Sequence, residues 1–140
     1  MALVLDTGVL FAAHVTDDDA HEDCRTLLAD AHEPLVVPAP VFVELEYLFR
    51  RRSSMANWMR VAEDVAAGAF TIYPLDGAGV LAAAKVQERY ADLPLGFVDA
   101  AVFATCVALG ESKVATLDRR HFSVLRVAKG VSLELLPRGR

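Results

Sequence analysis

The spacing of apolar positions changes along the chain, and each change marks an element. "ALVLD" at 2–6 is a run of β-formers closed by Asp6-Thr7-Gly8, which predicts a short buried strand. From about Asp18 to Ala31 the spacing becomes helical, with "DDD" at 17–19 as the expected N-cap region, where acids meet the helix dipole. "LVVP" at 35–38 predicts a second strand, and Pro40 suits the first turn of a helix running to Arg52. "SSMANWMRVAEDVAAG" (53–68) predicts another helix, capped by Ser53 or Ser54 and stopped at Gly68. A strand is expected at 70–75 and a helix at 77–90. The loop "ADLPLG" then leads to a helix at 97–109 that Gly110 ends. "KVATLD" (113–118) and "VSLELL" (131–136) complete the strands.

Short strands alternating with helices imply an α/β fold with a mostly parallel central sheet flanked by helices. Composition agrees. The 140 residues suit one domain with a proper core, and 54% hydrophobic residues argue against disorder. A net charge of −5 excludes a generally basic nucleic-acid binder but leaves room for a local basic patch. Cys24 and Cys106 form neither a CxxC motif nor a disulfide framework. "MALVLDTG" has no charged or long apolar leader region, and no apolar run is long enough to span a bilayer. The expectation is a soluble, reduced, cytoplasmic protein.

The candidate chemistry lies in four carboxylates. "LGFVDAAVFATCVAL" (95–109) is apolar almost throughout yet holds Asp99, beside Ala100, Ala101, Ala104 and Ala108 on a face expected to pack closely. An ionised carboxylate there needs a partner. The helix "PVFVELEYLFRRR" (40–52) carries two glutamates that differ. Glu46 has Arg50 four residues on, the favourable orientation for a surface ion pair. Glu44 lies among Pro40, Val41, Tyr47 and Leu48 with no local cation. Asp6 and Asp118 end two expected parallel strands, where α/β sheets bind ligands. Together the four suggest one acidic pocket. Like charges that close raise each other's pKa, and a hard cation such as Mg²⁺ or Mn²⁺ relieves them. Separately, each has a plainer role. Asp6 and Asp118 could be turn or helix caps, Glu44 could reach solvent, and Asp99 could cap a helix that starts later.

"VLDTGVL", "VFVELEYLFRR", "LPLGFVDAAVFATC" and "VATLDRRHF", in this order, resemble the four acidic motifs of the PIN-domain family. Within it, the size and wording are similar to VapC toxins of bacterial toxin–antitoxin pairs. The resemblance covers essentially the whole chain. It implies a PIN-like three-layer fold and hydrolysis of RNA phosphodiester bonds with Mg²⁺ or Mn²⁺. By matching position it makes Asp6, Glu44, Asp99 and Asp118 the metal-site acids, with Asp6 and Asp99 as main ligands. Thr116 matches the small hydroxyl residue that accompanies the last acid. It further implies a homodimer and a cognate VapB-like antitoxin that masks the site.

His14, His21, His32 and His121 show no ligand spacing and are expected at the surface or in caps. Arg50-Arg51-Arg52 and Arg119-Arg120 either contact RNA phosphates or, for the triple arginine, complement a helix C-terminus. Phe42, Tyr47, Phe49 and Trp58 offer an apolar groove for the antitoxin, although core packing is the expected use of most of them.

Two other functions fit in outline. A receiver-like Mg²⁺-binding signalling domain would need a phospho-accepting aspartate ending a middle strand and a lysine near the end. Only Asp76 stands at a middle strand, and Lys113 precedes its strand. A PIN-fold binding module without activity is the other, and the intact set of four acids argues against it. "DTG" lacks the second aspartate two positions on that a haloacid-dehalogenase phosphatase requires.

Overall fold

The computed structural model describes residues 1–139. Its main sheet holds β1 (Leu3–Leu5), β2 (Leu35–Pro38), β3 (Thr71–Tyr73), β4 (Lys113–Ala115) and β7 (Glu134–Leu136). The order is β3-β2-β1-β4-β7, all parallel. A separate antiparallel ribbon pairs β5 (Arg126–Val127) with β6 (Val131–Ser132). Around the sheet lie α1 (Thr7–His14), α2 (His21–Asp30), α3 (Ala39–Arg52), α4 (Met55–Ala66), α5 (Gly77–Arg89), α6 (Phe97–Leu109) and α7 (Arg119–Phe122).

β1 is the centre. Leu3, Val4 and Leu5 are all buried, as expected for a parallel strand covered on both faces. Val4 is in register with Val36 of β2 on one side and Val114 of β4 on the other. The strand order reverses at β1, so β1 and β4 diverge into a crevice beyond their carboxyl ends. α6 lies across β1 and packs extensively on α5, with Ala100 and Ala101 buried. Ala104 and Ala108, expected on the same tight face, instead line a groove of about 410 Å³ between α5, α6 and the ends of β2 and β3.

Most elements fall where the apolar pattern predicts. α6 begins and ends as expected, with Gly110 in the left-handed conformation at φ 68°. Ser54 caps α4 by accepting from the Asn57 N–H. The exceptions have physical reasons. α1 does not show in the pattern: Thr7, Val9, Leu10, Phe11 and Ala12 are buried together, which leaves no polar stripe to set a helical period. α2 starts at His21 rather than Asp18, because the Asp18 carboxylate accepts from the Ala20 N–H and holds a turn. β4 stops at Ala115, since the Thr116 hydroxyl takes the Asp118 N–H and turns the chain. The strand expected over 131–136 is two, one in each sheet. Among the described residues, no helix is long and apolar enough to cross a membrane.

Candidate metal centre

Asp6 comes directly after β1. Its N–H donates to the Ala115 carbonyl at 2.9 Å, which continues the pairing with β4 and fixes where the side chain emerges. Asp6 is also the N-cap of α1: Oδ1 accepts from the Thr7 N–H at 2.8 Å. Oδ2 accepts from the Thr116 hydroxyl at 2.8 Å. The cap reading of Asp6 therefore holds, and the cap leaves its second oxygen turned to Thr116. The residue is only 5% exposed. Burial pushes its pKa up from 3.8 to about 7, and the charges of Asp99 and Glu44 add to the rise, while the Thr116 and Thr7 hydrogen bonds oppose it.

Asp99 stands in the first turn of α6, behind the cap residue Gly96, so it is not itself the cap. Burial first, then the charges of Asp118 and Glu44, raise its pKa from 3.8 to about 6; His121 opposes. Glu44 is half-buried on α3, one turn from the buried Val41 and the half-buried Leu48. It acts on both Asp6 and Asp99, which places it at the same centre. Glu46 points elsewhere and pairs with Arg50 at 3.2 Å, as its spacing predicts.

Thr116 ties the two strand-end acids together. Its hydroxyl donates to Asp6 and accepts from the Asp118 N–H at 3.0 Å, and the side chain is fully buried. Asp118 caps the short α7, accepting from the His121 N–H at 3.0 Å. Its other oxygen lies 2.7 Å from His121 Nδ1. A carboxylate oxygen of Asp99, one of Asp118 and a ring nitrogen of His121 all lie within 4.8 Å of one another.

Of the five residues read from the sequence, Asp6, Thr116 and Asp118 are joined by hydrogen bonds at the carboxyl ends of β1 and β4, Asp99 lies beside Asp118, and Glu44 lies within electrostatic reach of Asp6 and Asp99. His121, expected at the surface or in a cap, does sit against the capping Asp118, and its ring also lies beside Asp99, which sequence reasoning did not foresee. The signal was its place three residues after Asp118, the reach of a capping aspartate to the next helical turn. Among the other histidines, His14 and His21 hydrogen-bond the Leu10 and Ala12 carbonyls through Nδ1, each at 2.8 Å. Of the arginines, Arg119 is bound to the Leu135 and Pro137 carbonyls. Arg50 and Arg51 lie over the Tyr47 ring, 5.5 and 5.8 Å from its centroid. Phe49 is core, packed on Phe11 and Trp58, whereas Tyr47 is exposed.

The donor set suits a divalent cation. No lysine or arginine pairs with any of the four acids among the described residues. Two buried side-chain polar atoms lack a hydrogen-bond partner there, Thr7 Oγ1 and His121 Nε2, and each belongs to a residue touching one of the acids.

Comparison with known proteins gives the family and the fold. The PIN domain family model matches residues 3–128. Ribonuclease VapC26 of Mycobacterium tuberculosis is 33% identical over 138 residues, spanning 96% of this chain and all of that protein. The fold is similar to the sarcin–ricin-loop-cleaving toxin VapC20 of Mycobacterium tuberculosis, with a TM-score of 0.71 at 20% identity over 81% of this chain and 87% of that one. It is similar also to a chain of VapBC2 from Rickettsia felis, bound to a promoter DNA fragment, with a TM-score of 0.69 at 17% identity over 96% and 98% of the two chains.

Proposed function

The chain belongs to the PIN-domain family, and from that premise we propose that it is a divalent-cation-dependent endoribonuclease, the toxin of a VapBC-type pair. One observation carries the reading. Four carboxylates from four separate segments converge without a lysine or arginine to neutralise them, and burial together with their mutual charge makes Asp6 and Asp99 resist ionisation. Such a cluster costs stability, and a site that binds a cation accounts for the cost.

Asp6 and Asp99 are the main ligands in this reading, with Glu44 and Asp118 ligating directly or through water, and Mg²⁺ or Mn²⁺ as the ion. A cation held there acts as a Lewis acid on the phosphodiester and makes water more acidic. The chain's own part is orientation. Two hydrogen bonds fix the Asp6 carboxylate, and the Thr116 hydroxyl locks it to the turn that carries Asp118. Arg51 lies seven residues beyond Glu44, two turns along the same face and about 10 Å up the axis. That suits contact with a phosphate next to the scissile one. Arg52 and Arg120, both exposed, extend the basic rim.

Solved relatives occur as VapBC complexes, which supports a VapB-like antitoxin as partner. Exposed apolar side chains on β3, α5 and α6, among them Ile72, Val80, Leu81 and Val107, support a homodimer. In this reading the protein works in the cytoplasm, where RNA and a protein antitoxin are both at hand. The test is cleavage of a structured RNA by the purified chain with Mn²⁺. Asp6→Asn or Asp99→Asn should lower the rate more than about 100-fold, the scale of losing a group that shapes a metal site, with circular dichroism unchanged. Full activity in either variant would contradict the assignment.

A further inference from the structure

We propose that Tyr47 is a stacking platform for an unpaired base of the RNA, so that this site takes looped or single-stranded RNA in preference to duplex. The inference rests on the ribonuclease reading above and names the form of its substrate. Of the aromatic residues on α3 and α4, Phe49 is buried in the core, and Phe42 and Trp58 are partly buried against it. Tyr47 alone is exposed, at 48%. It follows Glu44 by three residues and precedes Arg51 by four, so the three share one face of α3. Glu44 lies within electrostatic reach of Asp6 and Asp99. A strand that leaves the acidic centre along this face therefore meets the ring before it meets Arg51.

The surroundings of the ring suit a nucleic acid. The guanidinium carbons of Arg50 and Arg51 lie 5.5 and 5.8 Å from its centroid. That is near the outer limit of about 6 Å for such contacts, so the cations flank the ring and leave nearly half of the residue open to solvent. Arg51 and Arg52 pair with no acid among the described residues. Their charge is left for phosphates, on a chain whose net charge is −5. RNA matches both parts at once: guanidiniums take phosphates, and the ring takes the face of a base. A base is free to stack only where it is unpaired, which excludes the interior of an A-form duplex. The arginines also complement the α3 C-terminus, in whose last turn they stand, but that role makes no use of an exposed ring.

Binding of two RNA probes with equal numbers of phosphates tests this on the full-length protein, with Ca²⁺ as the ion to keep cleavage slow. One probe is a hairpin with 2-aminopurine in its loop, and the other is a full duplex. Wild type should bind the hairpin about tenfold more tightly than the duplex and quench the 2-aminopurine fluorescence by stacking. Tyr47→Ala should lose the quenching and most of that preference, with duplex binding and Mn²⁺ affinity unchanged. Tyr47→Phe keeps the ring and should keep both. Arg51→Ala should weaken the two probes alike and lower the salt slope by about one. Equal binding of the two probes by wild type, or undiminished quenching in Tyr47→Ala, would overturn the inference and leave the ribonuclease reading standing. A Tyr47→Ala protein that binds RNA as wild type does but no longer binds a VapB-like antitoxin would overturn it too, and would give the ring to the protein partner. Wild type that binds neither probe and cleaves no RNA with Mn²⁺ would overturn both readings.

Discussion

The two ends of the main sheet treat carboxylates in opposite ways. At the amino end of β4, Glu33 is hydrogen-bonded to the Lys113 ammonium, and that bond holds its carboxyl below the usual glutamate range. Glu111 accepts from the Ala2 N–H at 2.8 Å, and Glu134 at the start of β7 pairs with Arg138 at 2.8 Å. Each acid there has its own donor. At the carboxyl end, Asp6, Glu44, Asp99 and Asp118 face one another, and Asp6 and Asp99 are pushed up to about 7 and about 6. Structural acids are placed beside cations that the chain supplies. The acids placed against each other have no lysine or arginine from the chain beside them.

The difference has a sign in pH. Asp6 and Asp99 hold their protons in the folded state to higher pH than in the unfolded chain. Below about pH 4 both states are protonated and the cluster costs nothing. As pH rises from about 4 to 7 the unfolded chain ionises first, and stability falls. Metal-free wild type should therefore lose Tm over that window more steeply than Asp6→Asn. At pH 7.5, Mn²⁺ at a hundredfold excess over its Kd should return about 2.7 kcal/mol, several degrees for a chain of this length. Asp6→Asn should gain much less. Glu33 runs the other way: its contribution is present at neutral pH and is lost as acid protonates it. A metal-free Tm that is flat between pH 4 and 7 in wild type would erase the contrast between the two ends.

At the amino end, Lys113→Ala should cost about 1 kcal/mol in urea unfolding, the upper range for a partly exposed pair, and should leave RNA cleavage unchanged. A loss of cleavage there would show that the two ends are coupled. The smallest effect separates two neighbours on α3. Glu46→Gln should cost only about 0.3–0.5 kcal/mol through its lost pairing with Arg50 and keep full activity, while Glu44→Gln should lose most cleavage. Equal effects on activity would mean that the face of the helix does not decide their roles.

Much of this arrangement was legible in the sequence, for reasons that differ by residue. Asp6 and Asp118 could be placed because parallel strands announce themselves by short apolar runs, and a residue closing such a run lies at the ligand-binding edge. Glu44 could be told from Glu46 because helical spacing puts a cation beside only one of them. The position of His121 beside these acids was hidden, since it depends on the turn that Thr116 and Asp118 make together, and that turn replaces the end of an expected strand. α1 was hidden because burial on nearly all sides removes the polar face by which helices are recognised. The dual use of Asp6, cap and site acid at once, is also invisible one residue at a time. The same carboxylate orders the first turn of α1 with one oxygen and is held by Thr116 through the other.

The central claim is that the carboxyl-end acids exist to hold a cation that cuts RNA. The direct test is cleavage of a structured RNA by chelator-stripped protein, with Mg²⁺, Mn²⁺ and Ca²⁺ added back separately. Cleavage should be absent without metal, return with Mn²⁺ and with Mg²⁺, and remain poor with Ca²⁺, whose longer bonds of about 2.3–2.6 Å would misplace the attacking water. Undiminished cleavage in excess chelator would contradict the claim.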